Sequence, residues 1–176
     1  MARIPPRTVE EAGPRARELL AEQIVRHGRV TNMKRTLARS PRPLFALMRW
    51  YDLRAEVVAF LGTRAATLFA FAISTQTDCL ICSTFFRRWL LAGGENPDDL
   101  QRDDRERAII AFGRQRARDA SAIPDSAFDD ATQGLAAAQA VALTAFGGLM
   151  IATSVFNNAL KVDLGEYLFP FRRAST

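Results

Sequence analysis

The stretch from Leu135 to Leu160 constrains the fold more than any other. It is apolar on all sides, relieved only by small or neutral polar residues such as Thr144, Ser154 and Asn157. A helix of that kind either crosses a membrane or is wrapped by other helices. The rest of the chain has ordinary soluble-protein composition, and 24% of the whole chain is charged, which favours a core helix. Gly147-Gly148 and the surrounding alanines let neighbouring helices approach closely. They do not make a phosphate loop, because the glycine spacing and a preceding strand are both missing. No alternating strand pattern of useful length occurs elsewhere. The 176 residues suffice for one core. The expectation is therefore an all-α, single-domain bundle of six to eight helices.

Punctuation along the chain places those helices. Thr8-Val-Glu-Glu11 is a T-x-x-E capping signature and predicts a helix start, delayed or kinked by Pro14. Leu19, Leu20, Ile24 and Val25 then share a stripe, and Gly28 is the expected stop. Ser40-Pro-Arg-Pro43 opens the next helix, with Leu44, Leu47, Met48 and Tyr51 at helical spacing. Gly62 punctuates it, and apolar helix follows from Arg64 to Ile73. Helices are expected over Asp78 to Ala92, briefly after Asn96-Pro97, from Asp103 through Arg118, and after Pro124 with Phe128 facing inward. Residues 1–39 read as a basic arm and helix. Residues 40–176 read as the main helical domain.

Charge is uneven along the chain. The net charge is +5, but residues 1–54 carry +7 and the remainder −2. The arginines of the first third are dispersed among apolar residues, with no recognition helix and no RNA-binding aromatic motif. Solvated faces, or an arm lying on a second copy, fit better than a nucleic-acid partner. Met1-Ala-Arg-Ile-Pro-Pro lacks an apolar secretory core, so the cytoplasm is the expected compartment and no membrane partner is expected.

Only two cysteines are present, Cys79 and Cys82, and they form one C-x-x-C. Two cysteines cannot supply a disulfide framework, so a packed core must hold the fold. A polar run ends at Asp78 and an apolar, helix-spaced run follows, which puts both sulfurs in the first turn of a helix. There the free N–H groups and the helix dipole favour thiolate. Zinc needs a third and fourth ligand, and the one histidine, His27, lies far off near a helix end, so no metal or cofactor is expected. A thioredoxin-like setting would need a preceding strand. Spacing alone leaves a redox pair and two small buried apolar residues equally open.

Several segments together carry a family likeness. Pro43-Leu-Phe-Ala-Leu, then Ile73-Ser-Thr-Gln-Thr-Asp-Cys-Leu-Ile-Cys with Leu90-Leu-Ala-Gly-Gly, then Asp104-Arg-Glu-Arg-Ala-Ile-Ile-Ala-Phe, and finally Ala140-Val-Ala-Leu-Thr-Ala through Asn157-Asn-Ala-Leu-Lys-Val-Asp-Leu fall in a characteristic order. In that order they resemble the carboxymuconolactone decarboxylase-like family, and within it the alkylhydroperoxidase D (AhpD)-like branch. The resemblance covers about two-thirds of the chain. It implies an all-α fold in symmetric homo-oligomers (dimers, trimers or hexamers), a peroxide or other small-molecule substrate, and a thiol reductant partner. It also implies that Cys82 attacks and Cys79 resolves the sulfenate as a disulfide.

The chain departs from the family motif E-x11-C-x-x-C-x-x-x-H at both relay positions. Thr67 stands where the motif has glutamate, and Phe86 where it has histidine. Threonine is no base at neutral pH and phenylalanine accepts no proton. Phe85, Phe86 and Trp89 make the surroundings of Cys82 apolar, which raises a thiol pKa. Glu56, Glu106, Tyr51 and His27 are candidate replacement donors, from this chain or a neighbouring copy. Three functions follow in order: a weak or divergent thiol–disulfide oxidoreductase or peroxidase, a non-catalytic oligomer or small-molecule-binding protein, and a lactone decarboxylase.

Overall fold

A computed structural model describes residues 1–173, which form nine α-helices and a closing 3₁₀ segment, Glu166–Phe171, with no strand among them. The helices are α1 (Pro14–His27), α2 (Asn32–Leu37), α3 (Pro41–Trp50), α4 (Asp52–Leu61), α5 (Thr63–Gln76), α6 (Leu80–Ala92), α7 (Asp104–Arg118), α8 (Asp125–Thr132) and α9 (Ala137–Leu160). The all-α expectation holds. Two local events raise the number of helices above the expected range. Thr31 accepts a hydrogen bond from the Lys34 amide at 3.3 Å and nucleates the short α2. Tyr51 ends α3 and begins α4 where one continuous helix was expected.

Three local expectations are corrected. The Thr8–Glu11 box does form, with Thr8 N donating to Glu11 Oε2 at 2.8 Å and Glu11 N to Thr8 Oγ1 at 3.2 Å. Only a turn follows it, however. The helix begins at Pro14, whose missing N–H suits the first helical position. Asn96–Asp99 is a turn, not a helix, because Asn96 Oδ1 accepts the Asp98 amide at 3.1 Å and closes the backbone locally. Phe128 remains 40% exposed and lays its edge on Phe112, with centroids 5.9 Å apart.

The main core is centred on Phe69 of α5, which stands 6.2 Å from the Phe112 ring of α7 and 6.1 Å from the Phe146 ring of α9. All three rings are fully buried. Two glycines make room for Phe69. A Cβ at Gly113 would fall 3.0 Å from its Cδ2, and one at Gly147 would fall 3.0 Å from its Cζ. The Gly147 expectation of close helix approach is thus met by a ring rather than by backbone. A second buried cluster joins Ala16 and Leu20 of α1, Met33 and Leu37 of α2, and Leu44 of α3. Residues 1–39 therefore share apolar surface with the segment that follows.

Helix α9 is long and apolar enough to cross a membrane by length and composition. In the fold its inner face buries Leu143, Phe146 and Leu149 against α4, α5 and α7. Val141 and Val155 remain exposed on the opposite side. The N-terminal arm anchors the far end of α9. Arg3 donates its backbone N–H to Leu160 O at 2.9 Å and its guanidinium to Ala159 O at 2.8 Å. That end of the helix carries the polar residues that meet the cysteines.

Candidate redox site

Cys79 is not inside the helix but caps it. Helix α5 ends at Gln76, and Asp78 turns the chain with a φ of 50°. Cys79 then adopts extended backbone, and its Sγ accepts the Cys82 amide N–H at 3.4 Å. This is the bond that a serine or threonine cap makes through oxygen. Cys82 sits three positions on, in the first turn. Its Sγ lies 2.8 Å from that of Cys79. Both cysteines are free and buried, Cys79 at 1% exposure and Cys82 at 8%. The sequence expectation that both sulfurs share one face at the helix start is met.

The third member of the site comes from α9. Asn157 directs its amide Nδ2 at both sulfurs, 3.3 Å from Cys82 and 3.8 Å from Cys79. The Asn157 Oδ1 is buried without a hydrogen-bond partner, and the Ser154 hydroxyl, one turn earlier, is buried with the two sulfurs as its acceptors. Neighbouring Asn158 donates to Thr77 O at 2.8 Å, which clamps α9 to the turn that carries the cysteines. Sequence inspection for an acid or base passed over this group. Its signal was a Ser-x-x-Asn-Asn run within an otherwise apolar helix.

These donors separate the two thiols. Cys79 is lowered to about 7, chiefly by the hydrogen bond it receives from Cys82 and further by the Cys82 amide, Asn157 and Ser154; burial works against this. Cys82 is pushed well up, chiefly because it donates its proton to Cys79 and also by burial and by the adjacent negative charge. Loss of the first proton thus leaves a monoanion in which the two sulfurs share the remaining proton, with the charge centred on the helix cap.

The other expected participants lie as follows. Thr67 spends its hydroxyl on Thr63 O at 2.7 Å within α5. Phe86 is buried in the main core and, with Phe85 and Trp89, forms an aromatic cluster with centroids 4.9–6.0 Å apart. Arg87 pairs with Asp98 at 2.6 Å, and Arg88 lies over Tyr167 and Phe171. Glu106 is held by Arg64 and by the start of α7. Glu56 and His27 are exposed. Of the four candidate donors only Tyr51 approaches. Its hydroxyl is 3.5 Å from Thr153 Oγ1, and burial, opposed by Thr153 and aided by the negative charge of both cysteines, pushes its phenol up. A phenol so raised stays protonated and serves as a donor, not a base. Among the described residues no three His, Cys, Asp or Glu side chains gather to hold a metal.

A shallow cleft opens beside the cysteine turn and reaches Asn157. Asp78, Leu80, Ile81, Asn157, Asn158, Lys161 and Val162 line it. Asp78 and Lys161, the two non-glycine residues with positive φ among those described, both lie at this mouth.

The all-α, single-domain scaffold is the AhpD-like fold. A solved structure described as the alkylhydroperoxidase AhpD core, an uncharacterized peroxidase-related protein from Ralstonia eutropha JMP134, superposes with a TM-score of 0.76 at 17% identity, covering 96% of this chain and 94% of that one. The debrominase Bmp8 in its apo form superposes with a TM-score of 0.77 at 16% identity, covering 96% and 95%. No family model and no curated protein matches the sequence.

Proposed function

We propose that this chain is a peroxidase-like thiol–disulfide oxidoreductase in which Cys79 and Cys82 cycle between dithiol and disulfide. The observation that carries the reading is the pair of touching sulfurs with Asn157 bonded to both. The fold neighbours support a peroxidase-like class. Cys82 is the attacking thiol and Cys79 the resolving one. Cys82 has the greater exposure, and its sulfur lies 2.8 Å from that of Cys79, close enough for the two to exchange a proton.

In this reading Cys79 takes over from the relay that Thr67 and Phe86 no longer provide. The Cys79 thiolate accepts the Cys82 proton as the Cys82 sulfur attacks the distal peroxide oxygen. An S–O bond forms and the O–O bond breaks. The leaving alkoxide collects the proton and departs as alcohol. The renewed Cys79 thiolate then attacks the Cys82 sulfenic sulfur, the S–S bond forms, and hydroxide leaves. An external thiol reductant restores the dithiol by two exchanges. The rate is set by the minor form with the charge on Cys82, so turnover is slow beside a site with a dedicated base, by roughly the 10²–10⁴-fold such a base contributes.

The test is peroxide consumption with dithiothreitol as reductant. Wild type should turn over above buffer, and Cys82→Ser should abolish turnover and sulfenate trapping alike. Sulfenate trapped on Cys79 in Cys82→Ser would reverse the roles. Turnover equal to buffer in wild type would overturn the reading.

A further inference from the structure

A second cleft, of about 480 Å³, lies on a neighbouring face of α6 from the cysteines. Its floor is apolar, made by Leu68, Phe71 and Ile110. Its walls carry Arg87, Arg102, Arg114, Arg172 and Arg173 against a single carboxylate, Asp98. Asp98 already serves two of them, Arg87 at 2.6 Å and Arg173 at 3.4 Å. Arg102 and Arg114 make no ion pair among the described residues. The Nε donors of Arg87 and Arg102 are buried with no acceptor.

We infer that this cleft binds an amphipathic organic carboxylate, its carboxylate on Arg102 and Arg114 and its apolar body over Leu68, Phe71 and Ile110. The volume falls within the range of small-ligand sites, and the arrangement of apolar floor and few polar groups is theirs as well. A planar guanidinium matches a carboxylate with two parallel hydrogen bonds, which explains arginine here rather than lysine. An inorganic anion would leave the floor uncovered, and an alcohol would leave the arginines unmatched.

Calorimetric titration of the full chain with octanoate, 1-octanol and inorganic phosphate tests this. Octanoate should bind one per chain, at least about tenfold tighter than either of the others, since each lacks one half of the recognition. Arg114→Gln removes an exposed side chain and should keep the fold; it and Arg102→Gln should each weaken octanoate about tenfold. Arg49→Gln, an equal charge change on the exposed surface of α3, should leave the affinity unchanged. Octanoate binding no tighter than octanol or phosphate, or Arg114→Gln without effect in a folded protein, would overturn the inference.

Discussion

Asn157 Nδ2 stands 3.3 Å from the Cys82 sulfur and belongs to a helix 75 residues further along the chain. That one amide ties the end of α9 to the start of α6 and supplies a neutral donor to both sulfurs. A neutral donor stabilises a thiolate without taking its proton. The amide thus helps to hold charge on the dithiol and leaves proton transfer to the two cysteines themselves.

Replacing Asn157 by alanine removes a donor to a charged acceptor. Such hydrogen bonds contribute about 1.5–3 kcal/mol, so the first thiol ionisation should rise by roughly one to two pH units. Titration of thiolate absorbance reads this directly. Asn157→Asp should raise it further, because a carboxylate beside the sulfurs opposes their charge.

Alkylation of the reduced protein should show a first ionisation at about 7 and a second well above the ordinary thiol range. Stability should follow. The lowered Cys79 contributes stability that is full above the unfolded thiol pKa and is lost as pH falls toward 7. The raised Cys82 contributes stability that is full below the unfolded thiol pKa and is lost as pH rises beyond it. Melting temperature of the dithiol form should therefore climb from pH 7 to about 8.5 and decline beyond. The disulfide form, with nothing to titrate there, should lack this maximum.

Lys161 ends α9 in the left-handed region, at φ 48° and ψ 47°. A side chain there costs roughly 1–2 kcal/mol, partly offset in glycine by chain entropy. Lys161→Gly should raise stability by about 0.5–1 kcal/mol in denaturant unfolding.

Gly147 faces the Arg116 guanidinium, which donates to Thr144 O at 2.6 Å, and the Phe69 ring. Gly147→Ala should force both aside. Overpacking of this kind costs about 1–3 kcal/mol, measurable as a lower denaturation midpoint.

Much of the architecture was legible because helix signals are local. Gly28 ends α1 at φ 73°, Gly62 separates α4 from α5, and Asp103 with Glu106 caps α7, each at its expected place. The Thr8–Glu11 box misled because capping bonds close a turn whether or not a helix follows. Asn96-Pro97 misled because the asparagine side chain competes with the helical backbone bond. Within the site, the C-x-x-C was legible as a pair on one face. Asn157 was not, since asparagine in an apolar helix reads as a tolerated polar residue until its neighbour across the bundle is known.

The sequence by itself determined an all-α chain, its main helix boundaries, and two thiols at a helix start. Three-residue spacing and capping geometry act within one turn, so a few adjacent residues suffice to specify them. Only the tertiary structure decided what faces those thiols. It brings Asn157 and Ser154 onto the sulfurs, sets Glu56, Glu106 and His27 elsewhere, and gathers five arginines from separate segments around one cleft. Those contacts depend on how α5, α6, α7 and α9 seat around Phe69, a packing of distant side chains that no local pattern encodes.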